Sequence, residues 1–239
     1  MRSCTPSMPL DKLYIRQLPV GPMANFVYLV GAAHSKEAVL IDASWDAQRI
    51  VEAAKEDNKR LTAIVLTHAH YDHVQALSEL AALGLPVFLQ QAELDFVRQW
   101  AARHAAAPAP YCPRFWTLLH NSPDMFQPLP PDISMPLAGL HMQMLLTPGH
   151  TVGGQCILAE GALFTGDTLF VGACGRVDLP GGDVYQLQQS LQVKLQALPP
   201  ETAVFPGHDY GDFPVSTLAK ERQTNPYLQD KTSFFSLRS

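Results

Sequence analysis

Leu61-Thr62-Ala63-Ile64-Val65-Leu66-Thr67-His68-Ala69-His70-Tyr71-Asp72-His73 is an apolar run of β type that ends on four potential metal ligands. Extended backbone sends alternate side chains to the same side, so a strand through 61 to 66 delivers His68 and His70 together to one ion; on a helix they would diverge. Asp72 and His73 fall where an apolar-periodic helix begins (Val74, Leu77, Leu80, Ala81), and there they face a neighbouring position. The segment therefore has room for two metals. With only nine histidines in 239 residues, three of them beside an aspartate in so short a window weigh against a solvated loop.

The other candidate ligands are built the same way. His150 lies in Thr147-Pro148-Gly149-His150-Thr151, after the strand-like His141-Met142-Gln143-Met144-Leu145-Leu146. Asp167 lies in Phe164-Thr165-Gly166-Asp167-Thr168, beside a glycine that permits a tight turn. His208 lies in Val204-Phe205-Pro206-Gly207-His208-Asp209. Strand ends carry all the candidate ligands.

The length fits one domain over residues 1 to 239 with an elaborate insertion, and 47% hydrophobic residues suffice for a substantial core. A formal charge of -5 and the lack of any Lys/Arg cluster argue against nucleic acid and favour a small-molecule partner. Met1 to Leu13 holds no apolar core of a secretory signal, and no stretch reaches the length of a membrane span. Cys4, Cys112, Cys156 and Cys174 are scattered without paired spacing, the usage of a reducing compartment, so the cytoplasm is expected. Cys174 stands in a glycine-flanked turn with no base near it in sequence, and reads as an inert small side chain.

Strands are expected at 13 to 18, 26 to 30 and 38 to 41, a helix at 47 to 57, then the strand at 61 to 66 with the ligand loop and its helix. A short strand at 86 to 89 and a helix from 92 to about 104 follow. Between Pro108 and Pro136 prolines accumulate and periodicity disappears. That marks a surface segment or lid whose aromatics Tyr111, Phe115, Trp116 and Phe126 either cover a pocket or pin the loop to the body. Strands return at 140 to 146, 155 to 159 and 162 to 165, then a helix at 184 to 198 capped by Asp183 and stopped by Pro199-Pro200, and a strand at 203 to 205. Two sheets packed face to face with helices outside would set every ligand at one edge of the sandwich.

The spacing His68, His70, Asp72, His73, His150, Asp167, His208 resembles that of the metallo-β-lactamase-fold hydrolases, over nearly the whole chain. Within them, Gly166-Asp167-Thr168-Leu169-Phe170-Val171-Gly172-Ala173-Cys174-Gly175-Arg176 and Gly207-His208-Asp209-Tyr210 look like glyoxalase II, the hydroxyacylglutathione hydrolases. The resemblance implies an αββα four-layer sandwich and a binuclear site. His68, His70 and His150 would bind one divalent metal, Asp72, His73 and His208 the other, and Asp167 would bridge them. Imidazole and carboxylate suit zinc, with iron or manganese as alternatives. The implied reaction is thioester hydrolysis by a water ionised between the metals, with Asp72 orienting it or relaying its proton. Asp42 looks like the acid that supports a ligating histidine from behind.

Arg176 and Tyr210 match positions that in glyoxalase II contact glutathione, so a glutathione conjugate is the implied partner of a monomer or homodimer. The chain departs from that pattern at Val177-Asp178, where an aromatic pair is usual, and only Ser216 to Ser239 stand in place of a longer helical portion. A smaller thioester, another ester or a lactone stays open. The nearest rival is a persulfide dioxygenase on the same fold. It shares the Cys-Gly-Arg turn and a tail like His208-Asp209-Tyr210-Gly211 with Asn225-Pro226, and it would use His68, His150 and Asp167 for one iron. A β-lactamase proper is a more distant alternative.

Overall fold

The computed structural model describes residues 12–103 and 113–229. The first sheet holds β1 (Leu13–Val20), β2 (Asn25–Ala32), β3 (Glu37–Ile41), β4 (Arg60–Val65), β5 (Val87–Gln90) and β6 (Phe126–Leu129), in that spatial order. The second begins with β7 (Ile133–Leu137), β8 (Leu140–Leu146), β9 (Gln155–Ala159) and β10 (Ala162–Gly166). A small ribbon, β11 (Leu169–Phe170) and β12 (Ala173–Cys174), follows, and β13 (Ala203–Pro206) and β14 (Ser216–Thr217) complete the second sheet in the order β14-β13-β10-β9-β8-β7.

Period-two alternation decides which side chains fill which layer. From β2, Phe26, Tyr28 and Val30 point to the seam between the sheets, where they meet Met142, Met144, Ile157, Phe164 and Phe205. The intervening Val27 and Leu29, with Leu40 and Ile64, face the opposite way. There they pack under α1 (Ala47–Glu56), α2 (Tyr71–Val74), α3 (Leu77–Leu80), α4 (Gln91–Arg103) and α5 (Pro113–Asn121). Beyond the second sheet, Cys156, Leu163 and Val204 meet Leu187, Leu191, Leu218 and Leu228 from α6 (Val184–Gln189), the turns after it, α7 (Leu218–Thr224) and α8 (Pro226–Gln229). The result is the expected αββα sandwich.

Strand direction places the site. β3, β4, β5 and β6 run parallel, as do β10 and β13, while β8 and β9 are antiparallel, as are β9 and β10. The C-terminal ends of β3, β4, β8, β10 and β13 therefore emerge at one edge, with the start of β2 beside them.

Phe115, Trp116 and Phe126 pin the proline-rich stretch to the body, one of its two expected roles, but as helix and strands rather than loop. Residues 104–112, including Tyr111 and Cys112, lie outside the described residues, but 113–137 is body rather than lid. Pro113 and Pro123 open helical turns, where a missing N–H is tolerated, and Pro128 and Pro136 sit in β6 and β7, the edge strands of the two sheets. Phe115 is buried edge-on to Phe126, and Trp116 packs against the same core. Proline density there marks helix starts and sheet edges.

Two expected helices are interrupted. After His73 the helix breaks because Ala43 intrudes: its N–H bonds the His73 carbonyl and its carbonyl accepts from Ala76 N–H. The 184–198 helix passes from α6 through a π turn (Ser190–Lys194) to a 3-10 turn (Leu195–Ala197). Ser190 Oγ bonds the Pro148 carbonyl there, and Lys194 Nζ the Leu146 carbonyl, which ties this helix to the strand end leading to His150.

Phe164 is fully buried in the seam, 5.0 Å from the Tyr28 ring and 5.1 Å from Phe205. Phe164→Ala is expected to lower unfolding free energy by about 3–5 kcal/mol in urea denaturation. A loss below about 1 kcal/mol would contradict this packing.

Candidate metal centre

All seven expected ligands converge. Three groups have ligand atoms within 4.8 Å of one another: His68, His70 and His150; His68, His73 and Asp167; Asp72, His73 and His208. His70 Nδ1 lies 2.9 Å from His150 Nε2, and His73 Nε2 lies 3.2 Å from His208 Nε2. Asp167 stands between the groups, with Oδ1 3.2 Å from His73 Nε2 and 3.4 Å from His208 Nε2, and Oδ2 3.5 Å from His150 Nε2.

The histidines are held from behind, which aims a lone pair at the centre. His150 Nδ1 donates to the Arg176 carbonyl at 2.7 Å and His208 Nδ1 to the Met23 carbonyl at 2.8 Å. A carbonyl only accepts, so Nδ1 of each carries a proton and Nε2 is the nitrogen turned to the centre. Asp42 plays the supporting part expected of it. Its Oδ2 takes His73 Nδ1–H at 2.9 Å and Thr67 Oγ1–H at 2.8 Å, and its Oδ1 takes Thr67 N–H at 2.7 Å. Since Thr67 spends its hydroxyl proton on Asp42, it accepts from His68 Nδ1 at 3.0 Å. One carboxylate thus orients His73 directly and His68 through Thr67.

The geometry that follows from sequence is tight. Gly166, at φ +48°, lets the chain turn from β10 into Asp167, and a Cβ there would come within 2.5 Å of Thr67 Oγ1.

Burial, reinforced for His68 and His70 by neighbouring imidazoles, keeps His68, His70 and His150 below the ordinary histidine range, in the neutral form that binds metal. The second group is different. Burial opposes charge there too, but Asp167, Asp72 and Asp42 push His73 well up, and Asp167 with Asp72 brings His208 to about 9. Against the same burial, His73 beside Asp72 and His208 beside Asp167 hold both carboxyls well below the usual range. Negative charge gathered on Asp72 and Asp167 is what a dication held by these groups would balance. The fit to a metal also shows in what lacks a hydrogen bond: His68 Nε2 and Asp167 Oδ1 are buried at the centre without one. Such a donor set of imidazoles and carboxylates suits zinc, iron or manganese.

A cavity of about 510 Å³ opens over these groups. Beside the ligand candidates it is lined by Met23, Tyr71, Phe170, Ala173, Cys174, Arg176, Leu179 and Tyr210. Both residues expected to touch substrate line it. Tyr210 stacks on His208 at 4.5 Å, and Arg176 is clamped by Asp178, with Nε to Oδ1 at 2.6 Å and Nη2 to Oδ2 at 2.5 Å. No described residue of 113–136 lines this cavity.

Several supporting residues escaped the sequence reading. Asn25, fully buried, donates to Asp72 Oδ2 at 2.9 Å and accepts Trp45 Nε1–H at 2.7 Å. Asn225 Nδ2 bonds the Phe170 and Ala173 carbonyls and Glu221, whose carboxylate also takes Gly172 N–H. The Asn-Pro of the tail therefore holds a wall of the cavity. For Asn25 the signal was an asparagine before an apolar run, too common to single out, whereas Asn225 stood out in the sequence only as part of the Asn-Pro tail.

The family model described as "Metallo-beta-lactamase superfamily" matches residues 20–208. The chain belongs to the metallo-β-lactamase superfamily. Among curated relatives, it is 30% identical over 207 residues to the probable polyketide biosynthesis zinc-dependent hydrolase BaeB of Bacillus velezensis, covering 86% of this chain and 82% of that one. It is 31% identical over 205 residues to the hydroxyacylglutathione hydrolase of Photobacterium profundum, covering 86% and 69%. The crystal structure of ETHE1 from Myxococcus xanthus superposes with a TM-score of 0.72 at 28% identity, covering 93% of this chain and 88% of the other. The resemblance to the superfamily, including its hydroxyacylglutathione hydrolases, is thereby established. Among the described residues no helix is long and apolar enough to cross a membrane.

Cys174 lines the cavity, and burial pushes its thiol up to about 12. At pH 8 about one molecule in ten thousand would then carry a thiolate. Iodoacetamide at pH 8 is expected to leave Cys174 unmodified in the folded protein and to label it after denaturation, as read by peptide mass spectrometry. Stoichiometric labelling of the folded chain would contradict the inert reading.

Proposed function

We propose that this metal-dependent hydrolase of the metallo-β-lactamase superfamily cleaves a thioester or related small ester, with an S-acylglutathione-type substrate as the leading class, in the cytoplasm. The observation that carries the reading is the convergence of seven donors under one open cavity, with His150 and His208 turned so that Nε2 faces inward. In this reading His68, His70 and His150 hold one divalent ion, Asp72, His73 and His208 a second, and Asp167 both. Zinc is the leading candidate, and one relative is named a zinc-dependent hydrolase. Bound there, two such ions would supply Lewis acidity, making water ionisable near neutral pH and polarising an acyl carbonyl.

The chain's own residues do the rest. Hydrolysis forms a bond from the water oxygen to the acyl carbon and breaks the C–S bond, and the water proton ends on the leaving sulfur. Asp72 is the carboxylate placed to orient that water and carry the proton; Asn25 Nδ2 fixes its position. Met23, Phe170 and Leu179 exclude solvent beside the acyl group, and Tyr210 lines the cavity stacked on His208. Arg176, apart from histidines, is the one basic side chain among the described lining residues. Asp178 holds Nε and Nη2 of Arg176, which leaves Nη1 to pair with an acidic thioester beside that carboxylate.

A second reading, oxygenation of a persulfide, draws on the likeness to ETHE1, a name that in Homo sapiens belongs to a persulfide dioxygenase. It uses only His68, His150 and Asp167 and leaves His70, Asp72, His73 and His208 without a task, so the full donor set favours hydrolysis.

Metal analysis of the purified protein is expected to give two divalent ions per chain. S-lactoylglutathione or a neutral acyl thioester should be cleaved, with activity abolished by chelation and restored by zinc. One iron per chain with oxygen uptake on glutathione persulfide would overturn the proposal in favour of the dioxygenase. Asp72→Asn, assayed with both ions retained, is expected to lower kcat by about 10²–10⁴-fold with little change in KM. An unchanged kcat would remove Asp72 from the chemistry.

A further inference from the structure

The three histidines of the first group come from two separate loops on different sheets. His68 and His70 follow β4 in the first sheet, while His150 follows β8 in the second. Gln155 braces the bases of those loops through the Leu66 and Thr67 carbonyls, but the histidines lie beyond that brace, and a metal tripod tolerates errors of only a few tenths of an ångström.

Glu93, in the first turn of α4, touches both. It is fully buried. Its Oε1 accepts the N–H of Ala69, the residue between His68 and His70, at 3.1 Å. Its Oε2 accepts the N–H of Gly153, three residues past His150, at 2.9 Å. The contact is close on the backbone side as well. A Cβ at Gly153 would lie 2.4 Å from Glu93 N and 2.6 Å from its Cβ, so only glycine lets the second loop seat against the helix. A buried carboxylate is costly unless its oxygens are satisfied, and here both are satisfied by backbone donors from the two ligand loops. A side chain meant only to fill this space would be apolar.

We propose that Glu93 is a positioning residue for the three-histidine site, a two-oxygen clamp that sets the distance between the His68/His70 loop and the His150 loop. It touches neither substrate nor metal and acts through backbone. The inference rests on reading those histidines as ligands. It predicts a selective effect: loss of the clamp should loosen the first site while sparing the second, whose Asp72, His73 and His208 are held instead by Asn25, Asp42 and the Met23 carbonyl.

Glu93→Gln tests this at constant size, because the amide keeps one acceptor and turns a donor toward a backbone N–H. Glu93→Asp, one methylene shorter, is the second variant. The zinc dissociation constants of both sites are measured by competition with a chromophoric chelator, and the absorption of the cobalt-substituted protein reports the geometry of each. The expected result is a loss of about 10–100-fold in affinity at one site only, with an altered cobalt spectrum for that site and the other constant within about threefold. Equal weakening of both sites would show a general framework role and overturn the proposal, as would unchanged constants or failure of both variants to fold. If the unaltered chain takes up no metal, the ligand reading itself fails, an outcome distinct from a wild-type chain with two ions and variants that match it.

Discussion

Everything at the site depends on how a single buried carboxylate is satisfied. Asp42 ends β3 in the left-handed region, φ +60°, a conformation uncommon for a residue with a Cβ, and its oxygens take up Thr67 N–H, Thr67 Oγ1–H and His73 Nδ1–H. Those bonds join the ends of two parallel strands, fix the tautomer of His73 and, through Thr67, that of His68. Left without donors, a buried carboxylate would cost several kcal/mol, so the strand ends close around Asp42 together or not at all. The same economy recurs one layer up, where Gln155 bonds the Leu66 and Thr67 carbonyls across the sandwich and Gln90 bonds Gln155. Polar groups that would weaken an apolar seam instead become its struts, because each has a partner on the opposite sheet.

The ligands and most strands were legible because their signals are local. The apolar β-type run over 61 to 66 identifies a buried strand without knowledge of its neighbours, and two histidines at strand spacing announce their common direction. Asp42 was readable for the same reason, as an acid at a strand end. The supports were not. Asn25, Glu93, Gln155 and Glu221 are polar residues with partners far along the chain, and their meaning exists only once the sheets have packed. Glu93 in particular reads as an ordinary acidic residue in the first turn of a helix, where a carboxylate needs no further reason.

The helix breaks and the proline-rich stretch were misjudged for a different reason. Periodicity assumes that backbone groups bond within their own element, but Ala43 takes those of His73 and Ala76. Pro128 and Pro136 suggest irregular chain until it is known that their strands are the outermost of their sheets. In both cases tertiary placement overrode a rule about local sequence.

The cavity wall formed by Phe170, Ala173 and Cys174 is tied to Glu221 of α7 and to Asn225 at its end, as well as to β10 through Thr165 Oγ1 and the Leu169 carbonyl. The wall thus has supports that the histidines and aspartates do not share. Exchanges along α7 can resize the cavity with Asp42 and its partners left in place. A scaffold divided in this way can acquire new substrates by drift in one peripheral module, without passing through intermediates that have lost their chemistry.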